Sequence, residues 1–155
     1  MTKVYPLRID AYAHIAPQKF RERLAKVAPK DCAHMIDPFP ALYDMGHRFR
    51  AMDRYEGLVQ VLAPSWPSVE VTAPSKAMDL AKVVNDGIAK LVAEYPERFL
   101  AGIACLPLNN MKTALKETDR AIEETINAIE KMDITEQDRT KMYDENARKL
   151  YRLPI

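Results

Sequence analysis

The chain has 155 residues, 48% of them apolar, which predicts one folded domain able to bury about 69% of its extended surface and excludes a tail or a linker. Lys and Arg number 23 against 22 Asp and Glu, so the net charge of +1 leaves no basic surplus to make nucleic acid or an anionic membrane the main partner. The opening MTKVYPLRID is too polar for a signal peptide, no run approaches the ~20 apolar residues of a bilayer span, and Cys32 and Cys105 form no CxxC pair, so a reduced, soluble, cytoplasmic protein is expected.

Val4 to Ile9 reads as a short strand whose end carries Asp10, Tyr12 and His14, on one side if the alternation continues that far. Gln18 to Val27 predicts a short helix stopped by Pro29, and residues 28–45, with three prolines, read as an irregular excursion. A helix over 46–57 follows from Phe49, Met52 and Tyr55, ended by Gly57. LVQVLA (58–63) is a buried strand running into the loop Pro64-Ser65-Trp66-Pro67. Leu80, Val84, Ile88 and Leu91 predict a helix from about Ser75 to Glu94, and FLAGIACL (99–106) a further buried strand. Alternating helices and short apolar strands are the signature of β/α units with a mainly parallel sheet. Met111, Leu115, Thr118, Ile122, Ile126 and Ile129 then describe one long helix or two joined ones. A break near Met132-Asp133 precedes a last helix capped by Thr135 with Asp138, its apolar side supplied by Met142, Ala147 and Leu150, before Pro154.

Several blocks resemble the amidohydrolase-2 family, which includes aminocarboxymuconate-semialdehyde and γ-resorcylate decarboxylases. Ile9-Asp-Ala-Tyr-Ala-His-Ile-Ala-Pro17 is similar to its opening Asp-x-His-x-His and proline, and Arg50-Ala-Met-Asp-Arg-Tyr-Glu-Gly-Leu-Val-Gln-Val-Leu62 to its Met-Asp helix entering the second strand. Asn85-Asp-Gly-Ile-Ala89 with Tyr95-Pro-Glu-Arg-Phe-Leu-Ala-Gly-Ile-Ala-Cys-Leu-Pro-Leu108 is the most specific block, and 134–153 resembles the terminal helix with its Asn-Ala-x-x-Leu. The resemblance implies an α/β fold: an incomplete TIM-barrel-like arrangement of about three mainly parallel strands in one shortened domain over 1–155. An eight-stranded barrel takes about 250 residues. The middle metal-binding histidine, the later acid/base histidine and the last-strand aspartate that the resemblance implies have no counterpart, since His14, His34 and His47 all precede residue 48.

His14 matches the second histidine of the opening motif, while Tyr12 stands where the first belongs. A phenol ligates metal only as a phenolate, at the cost set by its reference pKa near 10, whereas neutral imidazole binds zinc readily. His14 and Asp10 are therefore the candidate ligands for a divalent metal such as zinc, with a hydrogen-bonded histidine and a turn aspartate as the plainer readings. Tyr12, Ser65, Trp66, His34 and His47 are candidates for a pocket or an interface. Pro38 and Pro40 argue against a helix that would pair His34 with Asp37, His47 reads as polarity near a helix start, and Cys105 as a small packed group. Arg98, at the helix-to-strand turn, reads as a structural pairing residue.

Open strand edges and apolar helix faces call for cover, so self-association is expected. The leading expectation is a homo-oligomeric binding or structural protein without family catalysis and without a cofactor. The alternative is a metal-dependent decarboxylase or hydrolase of a small carboxylated compound, its site completed across subunits.

Overall fold

The computed structural model describes residues 7–130 and 135–141, which divide into two compact units between Thr118 and Asp119. In the first unit three parallel strands, β1 (Arg8–Ile15), β2 (Leu58–Pro64) and β3 (Phe99–Gly102), lie side by side in that order. The connections are helical: α1 (Gln18–Val27), α2 (Lys30–Ala33) and α3 (Met45–Met52) join β1 to β2, and α4 (Pro74–Glu94) joins β2 to β3. Helix α5 (Met111–Glu130) begins in this unit and ends in the second, where α6 (Glu136–Thr140) follows. The architecture is an open, incomplete TIM-barrel-like α/β arrangement whose outermost strands, β1 and β3, each lack a second neighbour among the described residues.

The core lies where α1 and α4 pack on the sheet. Leu80, Ala81, Val84 and Ile88 fall on one face of α4 at helical spacing and meet Phe20 and Leu24 of α1, Ile15 of β1, Leu62 of β2 and Phe99 of β3. Pro74 opens α4, a position where its missing N–H costs nothing. Gly102 permits the closest approach of sheet and helix: a Cβ there would stand 2.3 Å from Ile88 Cγ2.

The boundaries depart from the sequence reading where local chemistry intervenes. Strand β1 runs to Ile15, and its register against β2 slips between Asp10 and Ala13, so three steps along β1 match two along β2. Helix α3 stops at Met52; two turns then lead to Gly57, whose φ of 76° is the left-handed conformation that a glycine takes at least cost. The 28–45 excursion holds the one-turn α2 and a short 3-10 turn, Pro40–Leu42. Strand β3 ends at Gly102 instead of reaching Leu106. Beyond it the chain is held by an Asn85 side chain, which bonds both the N–H (2.7 Å) and the carbonyl (3.0 Å) of Cys105. The expected break at Met132-Asp133, the apolar side at Met142, Ala147 and Leu150, and Pro154 lie outside the described residues, as does the Asp138 side chain.

Candidate functional site

The candidate residues gather around the end of β1. Asp10 pairs in register with Gln60, and its carboxylate accepts from Gln60 Nε2 at 3.1 Å and from the Tyr12 N–H at 3.3 Å. Gln60 in turn accepts from Arg48 Nε at 2.8 Å, and Arg48 Nη1 donates to the carbonyls of His14 (2.8 Å) and Ala41 (2.9 Å). Arg48 is only 5% exposed. Burial pulls its pKa below the ordinary arginine value, and the Asp10 charge acts in the opposite sense. A guanidinium stays protonated through such shifts, so this is a buried cation met by three neutral acceptors, its nearest negative charge reached through an amide. The network seals one side of a cleft of about 380 Å3 lined by Asp10, Tyr12, His14, Arg48, Tyr55 and Gln60.

The slip in β1 overturns the expectation that Asp10, Tyr12 and His14 share one side by simple alternation. Asp10 turns toward Gln60 and α3. His14 follows the extra residue and lies between the buried Ala13 and Ile15, so its ring projects from the opposite face of the strand. There Tyr12 meets it edge-on, with ring centroids 5.0 Å apart. His14 Nδ1 lies 2.9 Å from the Pro64 carbonyl, which can only accept, so Nδ1 carries a proton and the neutral ring would have its lone pair on Nε2. A metal-ligating histidine is oriented in this way, through its second nitrogen.

The other candidates are placed apart from one another. Ser65 follows β2 directly; its N–H donates to the Ile15 carbonyl at 2.9 Å, while its buried hydroxyl has no hydrogen-bond partner among the described residues. Trp66, next along, is 56% exposed. His47 is exposed in the first turn of α3, its N–H accepted by the Asp44 side chain that caps the helix. His34 and Asp37, which the flanking prolines had argued against pairing, are in fact 2.9 Å apart: consecutive tight turns bring them together without a helix. Asp37 also takes Arg21 Nη2 at 2.6 Å, and the Arg21 guanidinium lies 3.6 Å above the Tyr43 ring, closing the excursion against α1. The hydrogen bonds from Arg21 and then His34 hold the Asp37 carboxyl below its usual range.

Arg98 pairs with Asp53 at 2.7 Å and lies over Phe49, the structural role expected of it. Cys105 is partly buried; burial first, then the Glu70 and Glu117 charges, push its thiol up to about 12. It is no nucleophile at neutral pH.

Sequence reasoning missed Arg48 and Gln60. Their signals were present: Gln60 is the one polar residue in LVQVLA, and Arg48 stands four before Met52, on the buried side of α3. The same holds for Asn85 within the apolar series of α4 and for the fully buried Glu117 that it contacts at 2.7 Å.

A catalytic zinc site takes three converging protein ligands. Among the described residues no group of three or more His, Cys, Asp or Glu is gathered for a cation. Asp10, committed to Gln60, and His14 offer at most two donors, so the described residues of one chain do not complete such a centre.

Three parallel strands joined by helices define this as an open β/α arrangement of the barrel type. No family model matches the chain. It is 35% identical over 78 residues to γ-resorcylate decarboxylase of Polaromonas sp. (strain JS666 / ATCC BAA-500), covering 50% of this chain and 24% of that protein. It is 41% identical over 51 residues to 2-amino-3-carboxymuconate-6-semialdehyde decarboxylase of Dictyostelium discoideum, covering 33% of this chain and 14% of that one. Among solved structures, dihydroxybenzoic acid decarboxylase from Polaromonas sp. JS666, with bound manganese and the inhibitor 2-nitroresorcinol, superposes with a TM-score of 0.59 at 27% identity, over 77% of this chain and 36% of that one. The chain thus spans a quarter or less of these curated relatives and about a third of the solved one. Partial homology together with the shared fold places it in the amidohydrolase-2 decarboxylase superfamily, with an incomplete barrel. No helix among the described residues is long and apolar enough to cross a membrane.

Proposed function

We propose that this chain is a non-catalytic member of its superfamily that works as a homo-oligomer, in a structural or binding role. The observation that carries the reading is the divergence at β1: Asp10 is committed to Gln60 and the buried Arg48, His14 stands on the other face, and a phenol replaces the motif's first imidazole. The strand that opens the family's metal site has been given over to holding the sheet and α3 together. Self-association is supported by the open edges of β1 and β3 and the apolar groups exposed on them, Ile9 and Tyr12 on one and Leu100 on the other. Two free thiols, one half-buried in α2 and one against the core, suit a reducing cytoplasm.

A second reading has one specific observation in its favour. The His14 ring is held through Nδ1 by the Pro64 carbonyl, as a metal-ligating histidine is through its second nitrogen, and a solved relative holds manganese. On this reading a second subunit completes a divalent-metal site, and a small carboxylated compound is decarboxylated or hydrolysed there. Sedimentation velocity and elemental mass spectrometry on chelator-free protein separate the two. An oligomer whose metal content is low and unchanged in His14→Ala supports the structural reading. Near-stoichiometric metal that His14→Ala removes overturns it in favour of the second, and a monomer overturns both.

A further inference from the structure

The free edge of β1 is open over only part of its length. At the far end Arg48 Nη1 takes the His14 carbonyl at 2.8 Å, and the N–H of Ala16, just past the strand, donates to the Leu42 carbonyl at 2.7 Å. In the middle the Asp10 side chain takes the Tyr12 N–H at 3.3 Å. Before that the edge is bare. The Arg8 N–H donates to the Gly57 carbonyl, so Arg8 faces β2, and by the alternation of the ladder the Leu7 carbonyl and both peptide groups of Ile9 point outward. The side chains alternate as well. Leu7 and Ile9, 63% and 54% exposed, lie on one face with Ala11, and Arg8 and Asp10 lie on the other. Arg8 donates to the Glu56 carbonyl and Asp10 accepts from Gln60, and neither makes an ion pair with another described residue.

We propose that two copies of the chain join edge to edge through residues 7–11, antiparallel about a two-fold axis at Ile9. The inference rests on the reading that the chain self-associates and adds where and in which register. What selects a second copy is the segment Leu-Arg-Ile-Asp-Ala itself: apolar, cation, apolar, anion, apolar. Reversed about Ile9, it sets each Arg8 opposite Asp10 of the other copy and each Leu7 opposite Ala11, while the two Ile9 residues exchange both backbone hydrogen bonds. Charge disfavours the neighbouring registers. A shift of two residues one way puts Arg8 opposite Arg8, and the other way Asp10 opposite Asp10, like charges directly across the ladder. A shift of one sets outward peptide groups against inward ones, and no ladder forms. The free edge of β3, Phe-Leu-Ala-Gly, carries no charge that could fix a register.

Complementary variants read the register. Arg8→Asp and Asp10→Lys each set like charges opposite one another at two symmetry-related places, so each alone is expected to weaken the dimer about tenfold in sedimentation velocity. Mixed in equal amounts they restore it as a heterodimer, because a doubly acidic strand then faces a doubly basic one. A second measurement leaves these charges and the Asp10 network untouched. Ile9→Cys treated with a short bifunctional thiol cross-linker is expected to give a 9-to-9 link, mapped by peptide mass, while Leu100→Cys on β3 gives no 100-to-100 link. A protein monomeric at all concentrations overturns both this inference and the self-association beneath it. An oligomer that gives no 9-to-9 link, or whose dissociation constant is unmoved by Arg8→Asp, overturns the β1 contact alone.

Discussion

Replacing Arg48 by methionine tests whether the polar network at β1 is structural. Methionine keeps much of the aliphatic volume but removes three donated hydrogen bonds, orphaning Gln60 Oε1 and the carbonyls of His14 and Ala41. Each buried acceptor left unmet costs ~1–3 kcal/mol. Against this stands the relief of an expensive desolvated cation, the same burial that lowers the Arg48 pKa, and the entry of water from the adjoining cleft to the two carbonyls. The net is a loss of about 3 kcal/mol, near 10 °C in Tm for a chain of this size. Urea unfolding followed by circular dichroism measures it, and Gln60→Leu completes a double-mutant cycle with an expected coupling above ~1 kcal/mol. An Arg48→Met protein within ~0.5 kcal/mol of the native chain, at unchanged m-value, would refute the reasoning and free Arg48 for another role.

Gly102→Ala forces a Cβ to within 2.3 Å of Ile88 Cγ2 and is expected to cost ~1–3 kcal/mol, part of it recovered by Ile88→Val; denaturant midpoints of the single and double variants decide this. Asp37 has a folded pKa below its ordinary 3.8, so the stability it contributes is present above that value and disappears as the pH falls through the lower folded value. Acid unfolding followed by fluorescence is thus expected to lose part of its low-pH slope in Asp37→Asn, and an unchanged slope refutes the contribution. With its thiol pushed up to about 12, Cys105 is expected to resist alkylation at pH 8 until the protein unfolds, while Cys32 reacts first; mass-resolved labelling kinetics show the order.

The β/α architecture was legible because its determinants are local and repetitive. The stripe Leu80, Val84 and Ile88 places α4 unaided, and LVQVLA can hardly be anything but a central strand. What was not legible depends on register and on contacts between distant segments. No periodicity announces one extra residue in β1, yet it decides that Asp10 and His14 part company. Pro38 and Pro40 argue against a helix joining His34 to Asp37, but not against the turns that bring them together. The ends of α3 and β3 were overrun because Tyr55 and Ile103 continue the apolar pattern after the hydrogen-bond ladder has stopped.

The blocks that give the resemblance its specificity do their work in the fold and not in chemistry. Asp53 of the Met-Asp helix meets Arg98 of the Pro-x-Arg-Phe turn, tying the exit of α3 to the entry of β3. Asn85 of Asn-Asp-Gly fixes the backbone of Cys105 beyond β3 and reaches the buried Glu117 of α5. Gly102 lets α4 seat on the sheet. Packing constraints of this kind act on any chain that keeps these β/α units, whatever its strand ends do, so likeness to decarboxylases in these blocks is likeness of fold. The opening strand is where chemistry alone would hold the sequence, and there Tyr12 stands in place of a histidine while Asp10 has joined the network of Arg48. Likeness kept in packing contacts while Tyr12 takes the place of one motif histidine is the pattern that the proposed non-catalytic role expects.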